Sequence, residues 1–210
     1  MIQNKISLGS NPFQQQDRRS LPRQRLFDWQ KLQQNNDCSI PSRYHHCSII
    51  YRNYLIILGG QQNDGKLPEE LLTFDMDKLV WSEVPLLGGP LSARYGFTVC
   101  TDDQDRMIIY GGVGQDNRTF VNKIELLELC DAKGTYARDK SNNITFKDLI
   151  FERKELYIGT INIARAYHTA NFFDVDKKMY IFGGQTSPQN EDNELYVLDL
   201  STSKFFSIIT

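Results

Sequence analysis

Apolar residues along this chain come in short runs of about five to seven, each broken by glycine, asparagine, aspartate or proline. Three runs end alike: YLIILGGQ at 54–61, RMIIYGGV at 106–113 and KMYIFGGQ at 178–185. Such runs are rich in Ile, Val, Tyr, Phe and Thr and bounded by turn residues, which predicts β-strands. No long 3.6-residue periodicity competes, apart from a turn or two in a polar insertion. The predicted strands fall in fours. They lie at about 45–51, 54–60, 71–76 and 79–85; at 96–101, 106–112, 122–130 and 147–156; and at 167–173, 178–184, 194–200 and 204–210.

Other landmarks keep phase with the glycine pairs, Gly59-Gly60, Gly111-Gly112 and Gly183-Gly184. Arg43, Arg94 and Arg165 precede the first glycine of their pair by 16, 17 and 18 residues. Three residues after each arginine stands His46, Phe97 or His168. Asp75, Glu128 and Asp199 follow the pairs, and then come the aromatics Trp81, Phe151 and Phe205. The middle copy carries extra polar text, roughly 131–147, which predicts a loop. Residues 25–32, RLFDWQKL, place Trp29 where an outer-strand aromatic would stand, 14 residues before Arg43.

Four short strands per unit of about fifty residues is the pattern of a propeller blade. The Arg-x-x-His, the apolar run into Gly-Gly, the acid-ended strand and the later Trp together resemble the kelch repeat. The resemblance covers about 26–210 and departs at Phe97, Glu128, Phe151 and Phe205. It implies an all-β, partial kelch-type β-propeller: blades at about 43–85, 94–156 and 165–210, plus the orphan outer strand 25–32. It further implies a non-catalytic protein-interaction or scaffold module.

Each landmark has a structural reading. The twin glycines allow positive φ and close backbone approach; a phosphate loop would need a following Lys-Ser/Thr. The arginines could form an anion-binding ring. Their fixed spacing favours bonds to backbone carbonyls between adjacent blades, with an acid as partner. His46 and His168 are expected as satisfied core histidines. Tyr44, Tyr95 and Tyr167 can pack and still reach a partner, and Trp81, Phe151 and Phe205 are expected to pack on the outer strands.

An up-and-down blade sends the loops 61–70, 113–121 and 185–193 to the same face as the interblade connections. That face has the longer, more polar loops and suits recognition. Candidate contacts are Gln61, Asn63, Asp64, Lys66, Asp116, Asn117, Arg118, Gln185 and Asn190.

Composition narrows the rest. The 210 residues include 24 basic and 26 acidic side chains, a net charge of −2 that favours neither nucleic acid nor anionic membranes. Cys38, Cys47, Cys100 and Cys130 show no CxxC spacing, so neither a zinc site nor a redox motif is expected; Cys47 and Cys100 sit inside apolar runs and read as buried thiols, which points to a reducing compartment and a cytoplasmic location. No stretch is long enough to span a bilayer as a helix. Residues 1–25 read as a disordered polar and basic tail, and the triplets at Asn117 and Asn143 as chance matches to a glycosylation signal. GxSxG, HExxH and Walker sequences are missing, so no catalytic residue, metal or cofactor is expected. The readings from other classes are a propeller enzyme, either an oxidase or a metal-assisted lyase, and an architectural subunit of a large complex. Three blades do not make a ring, so the chain is expected either to lack further repeats or to self-associate through its open ends.

Overall fold

The computed structural model describes residues 31–130, 150–157 and 163–208. All regular structure in them is β. The tail 1–25, nearly all of the orphan strand 25–32 and the insertion 131–147 lie outside the described residues. One compact unit runs from Gln33 onward.

In the first repeat, β1 (Arg43–Tyr44), β2 (Cys47–Tyr51), β3 (Tyr54–Leu58), β4 (Gln61–Gln62), β5 (Leu71–Asp75) and β6 (Val80–Val84) follow in order. β2, β3, β5 and β6 pair antiparallel in that sequence to make the first blade. The second repeat holds β7 (Leu86–Leu87), β8 (Thr98–Thr101), β9 (Met107–Tyr110), β10 (Ile124–Cys130) and β11 (Ile150–Leu156). The third holds β12 (Thr169–Phe173), β13 (Lys178–Phe182), β14 (Gln185–Ser187), β15 (Asn190–Glu191), β16 (Leu195–Asp199) and β17 (Lys204–Ile208). These are three up-and-down blades of a partial β-propeller.

The middle blade departs from the expected four strands. Leu86 and Leu87 run on from the first blade and pair parallel with Phe151 and Glu152, so β7 becomes a fifth strand on the outer edge. The predicted strands also overrun the glycine pairs. β3, β9 and β13 stop one residue before Gly59, Gly111 and Gly183, because all six glycines take positive φ and break the extended chain.

Two blade-to-blade cores explain why the central strands are apolar throughout. The first packs Tyr51, Ile56, Leu58 and Leu71 against Phe97, Met107, Ile109, Leu127 and Phe151. The second packs Cys100, Ile108, Tyr110 and Leu126 against Met179, Ile181, Tyr196, Leu198 and Phe205. Each face of β9 belongs to one of these cores, so all four of its residues are buried. Burying one such side chain contributes about 1.5–3 kcal/mol. Trp81 sits on β6 beside Phe74, ring centroids 4.9 Å apart. The edge of β6 is met by Asn36, whose side-chain amide donates to the Trp81 carbonyl and accepts from its N–H.

Candidate functional site

The arginines set the geometry from which the loop face is built. Arg43 donates to the carbonyl of Gly59 at 3.2 Å and pairs with Glu70 at 2.8 Å. Arg165 donates to Gly183 at 2.6 Å and pairs with Asp192 at 2.9 Å. Arg94 donates to Gly111 at 3.0 Å and pairs with Glu125, which also receives Arg153 and Ser92. Burial pushes the Arg94 guanidinium down to about 10, which leaves it charged at neutral pH. The carbonyls that the side chains bond therefore lie within their own repeat, not across blades. The main chain makes the bond between blades: the N–H of Gly60 donates to the Arg94 carbonyl, and that of Gly112 to the Arg165 carbonyl.

At Gly59 and Gly111, the first glycines of their pairs, the next blade touches. A Cβ on Gly59 would stand 2.7 Å from the Arg94 oxygen and from the Phe97 ring. One on Gly111 would press into the Arg165 oxygen and the His168 ring. His168 is buried, and its Nε2 meets the Thr98 hydroxyl at 2.8 Å. Burial and the nearby Arg165 push its imidazole down to about 3, so it stays neutral. His46 differs from the expected core histidine. It is exposed, because among the described residues no blade stands before the first.

From this base the chain turns outward at the inner rim of the loop face. The residue two after each arginine has left-handed backbone: His45 at φ 53°, Gly96 at 65° and Tyr167 at 58°. The three form a ladder, Gly96 N–H to the His45 carbonyl and Tyr167 N–H to the Gly96 carbonyl. Tyr44, His45 and Tyr167 gather there with Tyr95 beneath. The His45 ring lies 5.0 Å from Tyr44, 5.4 Å from Tyr167 and 5.9 Å from Tyr95. Tyr44 and Tyr167 remain 46% and 45% exposed. Burial, with Tyr95 next to it, pushes the Tyr167 phenol up to about 12.

The candidate contacts surround this cluster, and several are occupied in holding their own loops. Gln61 accepts from the Tyr44 hydroxyl at 2.7 Å, and Asn63 donates to Ser42. Asp64 accepts the Lys66 N–H. Asp116 accepts from the Thr119 hydroxyl and the N–H groups of Thr119 and Arg118, which hold its carboxyl down at about 2. Asn117 is exposed with φ 55°. Arg118 is exposed, while Gln185 is half-buried, its main chain paired with Ala166. Asn190 donates to Thr186. Gln115 ties the first loop to the second by accepting from Leu67 N–H and donating to the Gly65 carbonyl. A groove of about 730 Å³ opens between the first two blades, bordered by Lys66, Leu67, Glu69, Leu86 and Pro90.

Two features escaped the sequence. The acids that hold the arginines are Glu70, Glu125 and Asp192, not the recurring Asp75, Glu128 and Asp199. Asp75 and Asp199 instead cap the turns after their strands, accepting N–H groups two and three residues on. Glu128 bonds Lys154 at 2.6 Å, since β10 runs on to Cys130 without a turn to cap. The second feature is His45, whose only signal was its place between Tyr44 and the landmark His46. Among the described residues no three His, Cys, Asp or Glu side chains are gathered as a metal site would need.

Comparison with known proteins agrees with the blade geometry. The sequence model for the KLHDC2/KLHL20/DRC7 Kelch-repeats domain matches residues 23–148. The chain belongs to the Kelch-repeat family. Kelch domain-containing protein 1 of Homo sapiens is 24% identical over 186 residues, 80% of this chain and 44% of that relative. Kelch-like protein 41a of Danio rerio is 24% identical over 180 residues, 85% of this chain and 25% of the relative. Dynein regulatory complex subunit 7 of Chlamydomonas reinhardtii is 32% identical over 97 residues, 45% of this chain and 8% of the relative. The Kelch chain thus spans less than half the length of these curated relatives.

Proposed function

We propose that this Kelch chain is a non-catalytic protein-interaction module of the cytoplasm that binds a protein partner through its loop face. The observation that carries the reading is the exposed group Tyr44, His45 and Tyr167. Two of these residues hold left-handed backbone, which non-glycine residues adopt at a cost of about 1–3 kcal/mol and which clusters at functional sites. Exposed tyrosines offer large contact area at low entropic cost. Polar side chains ring them on loops held rigid by their own hydrogen bonds, so little order has to be gained on binding.

The test is capture of a partner from native extract by tagged protein. Tyr44→Ala with Tyr167→Ala is expected to lower recovery at least tenfold, with the circular dichroism spectrum unchanged. Asn63, Asn117 and Asn190 changed together to Ala are expected to act the same way. An unchanged set of captured proteins in both variants contradicts the assignment. Stoichiometric copper or iron in the purified protein would move the reading toward an enzyme.

A further inference from the structure

Three repeats share the inner rim of the loop face, and they fill it unequally. The residue after each arginine is Tyr44, Tyr95 or Ala166, and the next is His45, Gly96 or Tyr167. The second repeat puts a glycine, and the third an alanine, where the other repeats carry rings. Tyr167 therefore has room to lie on Gly96, where a Cβ would stand 2.9 Å from its ring. Tyr95 is buried, and its main chain bonds Val113 in both directions. Tyr44 is held at its hydroxyl by Gln61 and at its main chain by β4. These contacts fix the rings, yet Tyr44, His45 and Tyr167 all stay exposed.

The face of a tyrosine ring carries partial negative charge, so an open face attracts a cation. The fold makes this contact internally: Arg165 stands over the Tyr196 ring, 4.1 Å from its centroid. The loops around the rim add charge of the same sign. Glu70 and Asp192 are paired with Arg43 and Arg165. The exposed charges on the three loops are then Asp64, Glu69, Asp116 and Glu191 against Lys66 and Arg118. That field repels an anionic segment and draws a basic one. Of the two basic side chains, arginine matches the site better. Its planar guanidinium lies flat on a ring and still directs N–H donors sideways. Gln61, against Tyr44, offers an amide oxygen with a second lone pair to accept one of them.

We infer that the partner of the loop face presents an arginine side chain, within a basic segment, to the cluster of Tyr44, His45 and Tyr167. This names the partner chemistry of the loop-face reading and rests on that reading. The guanidinium stacks on an open tyrosine face and donates to the Gln61 amide oxygen. The carboxylates of Asp64 and Glu191 steer the segment toward the rim.

The test is a titration of the peptide acetyl-Gly-Arg-Gly-Arg-Gly-amide into the protein with isotope-labelled tyrosine rings, read by NMR. The peptide is expected to shift the Tyr44 and Tyr167 signals. It is expected to bind at least about threefold tighter than the same peptide with citrulline, which keeps the shape and loses the charge. Raising the salt concentration is expected to weaken the binding. Asp64→Asn with Glu191→Gln is expected to weaken it about twofold. Tyr44→Ala with Tyr167→Ala is expected to remove it, whereas Tyr44→Phe with Tyr167→Phe keeps most of it, because the ring faces remain. Equal binding of the citrulline peptide, tighter binding of a glutamate peptide, or no shift at either ring overturns the proposal. If that result comes with loss of partner capture in the tyrosine-to-alanine variant, the loop-face reading stands and only the arginine fails. Unchanged capture in that variant defeats the loop-face reading itself.

Discussion

The second blade and the third are built from the same repeat, yet among the described residues only the second has a neighbour on both sides. In β9 all four residues are buried, while the matching β13 alternates between half-buried and buried and ends on the exposed Phe182. Tyr110 and Phe182 follow the same apolar run and precede the same glycine pair. One lies at the centre of a core and the other faces outward. Local sequence chose the strand and the turn, and the neighbouring blade decided the burial. The same holds for the histidines: His168 is sealed against Thr98 and His46 is open.

Changes made in pairs at equivalent positions sharpen this comparison. Steric contact sets the first comparison, at the glycines. Gly111→Ala sets a Cβ against the Arg165 backbone in a left-handed conformation and is expected to cost about 4 kcal/mol. Gly183→Ala carries the backbone strain with a milder contact and is expected to cost about 2 kcal/mol. Urea unfolding of the two variants measures the gap, and equal losses would remove the special role of the buried interface. Next, Tyr110→Ala is expected to lose about 3–5 kcal/mol. Phe182→Ala is expected to lose under about 1 kcal/mol, because the side chain is exposed.

The histidines add a pH-dependent comparison. The buried His168 imidazole resists protonation until about pH 3, whereas an unfolded histidine titrates near 6.5. Between those values the unfolded chain binds the extra proton, so stability is full above about pH 6.5 and falls as the pH drops. By pH 5 the loss from this one group is about 2 kcal/mol. His168→Phe, which copies Phe97, is expected to flatten the stability profile between pH 6.5 and 5.

Much of the blade was legible because its signals are local. The glycine pairs ended strands, and the runs before them packed as predicted. The features that escaped depend on distances the sequence does not hold constant. The acids holding the arginines follow the first glycine of each pair by 11, 14 and 9 residues, at Glu70, Glu125 and Asp192, because the loop between them varies. The two-residue strand β7 has no periodicity to announce it; it exists because Gly88 lets the chain turn close under the Arg153 carbonyl. The aromatic cluster arises from three repeats meeting at one rim, and no single repeat contains it.

The central claim is that adjacent blades are stapled where a glycine amide meets the arginine carbonyl of the next repeat. Native-state hydrogen exchange at Gly60 and Gly112 tests this most directly. The account predicts that both amides exchange only with global unfolding, as slowly as the amides of β9. Exchange of either at the rate of the exposed loop 113–121 would contradict it.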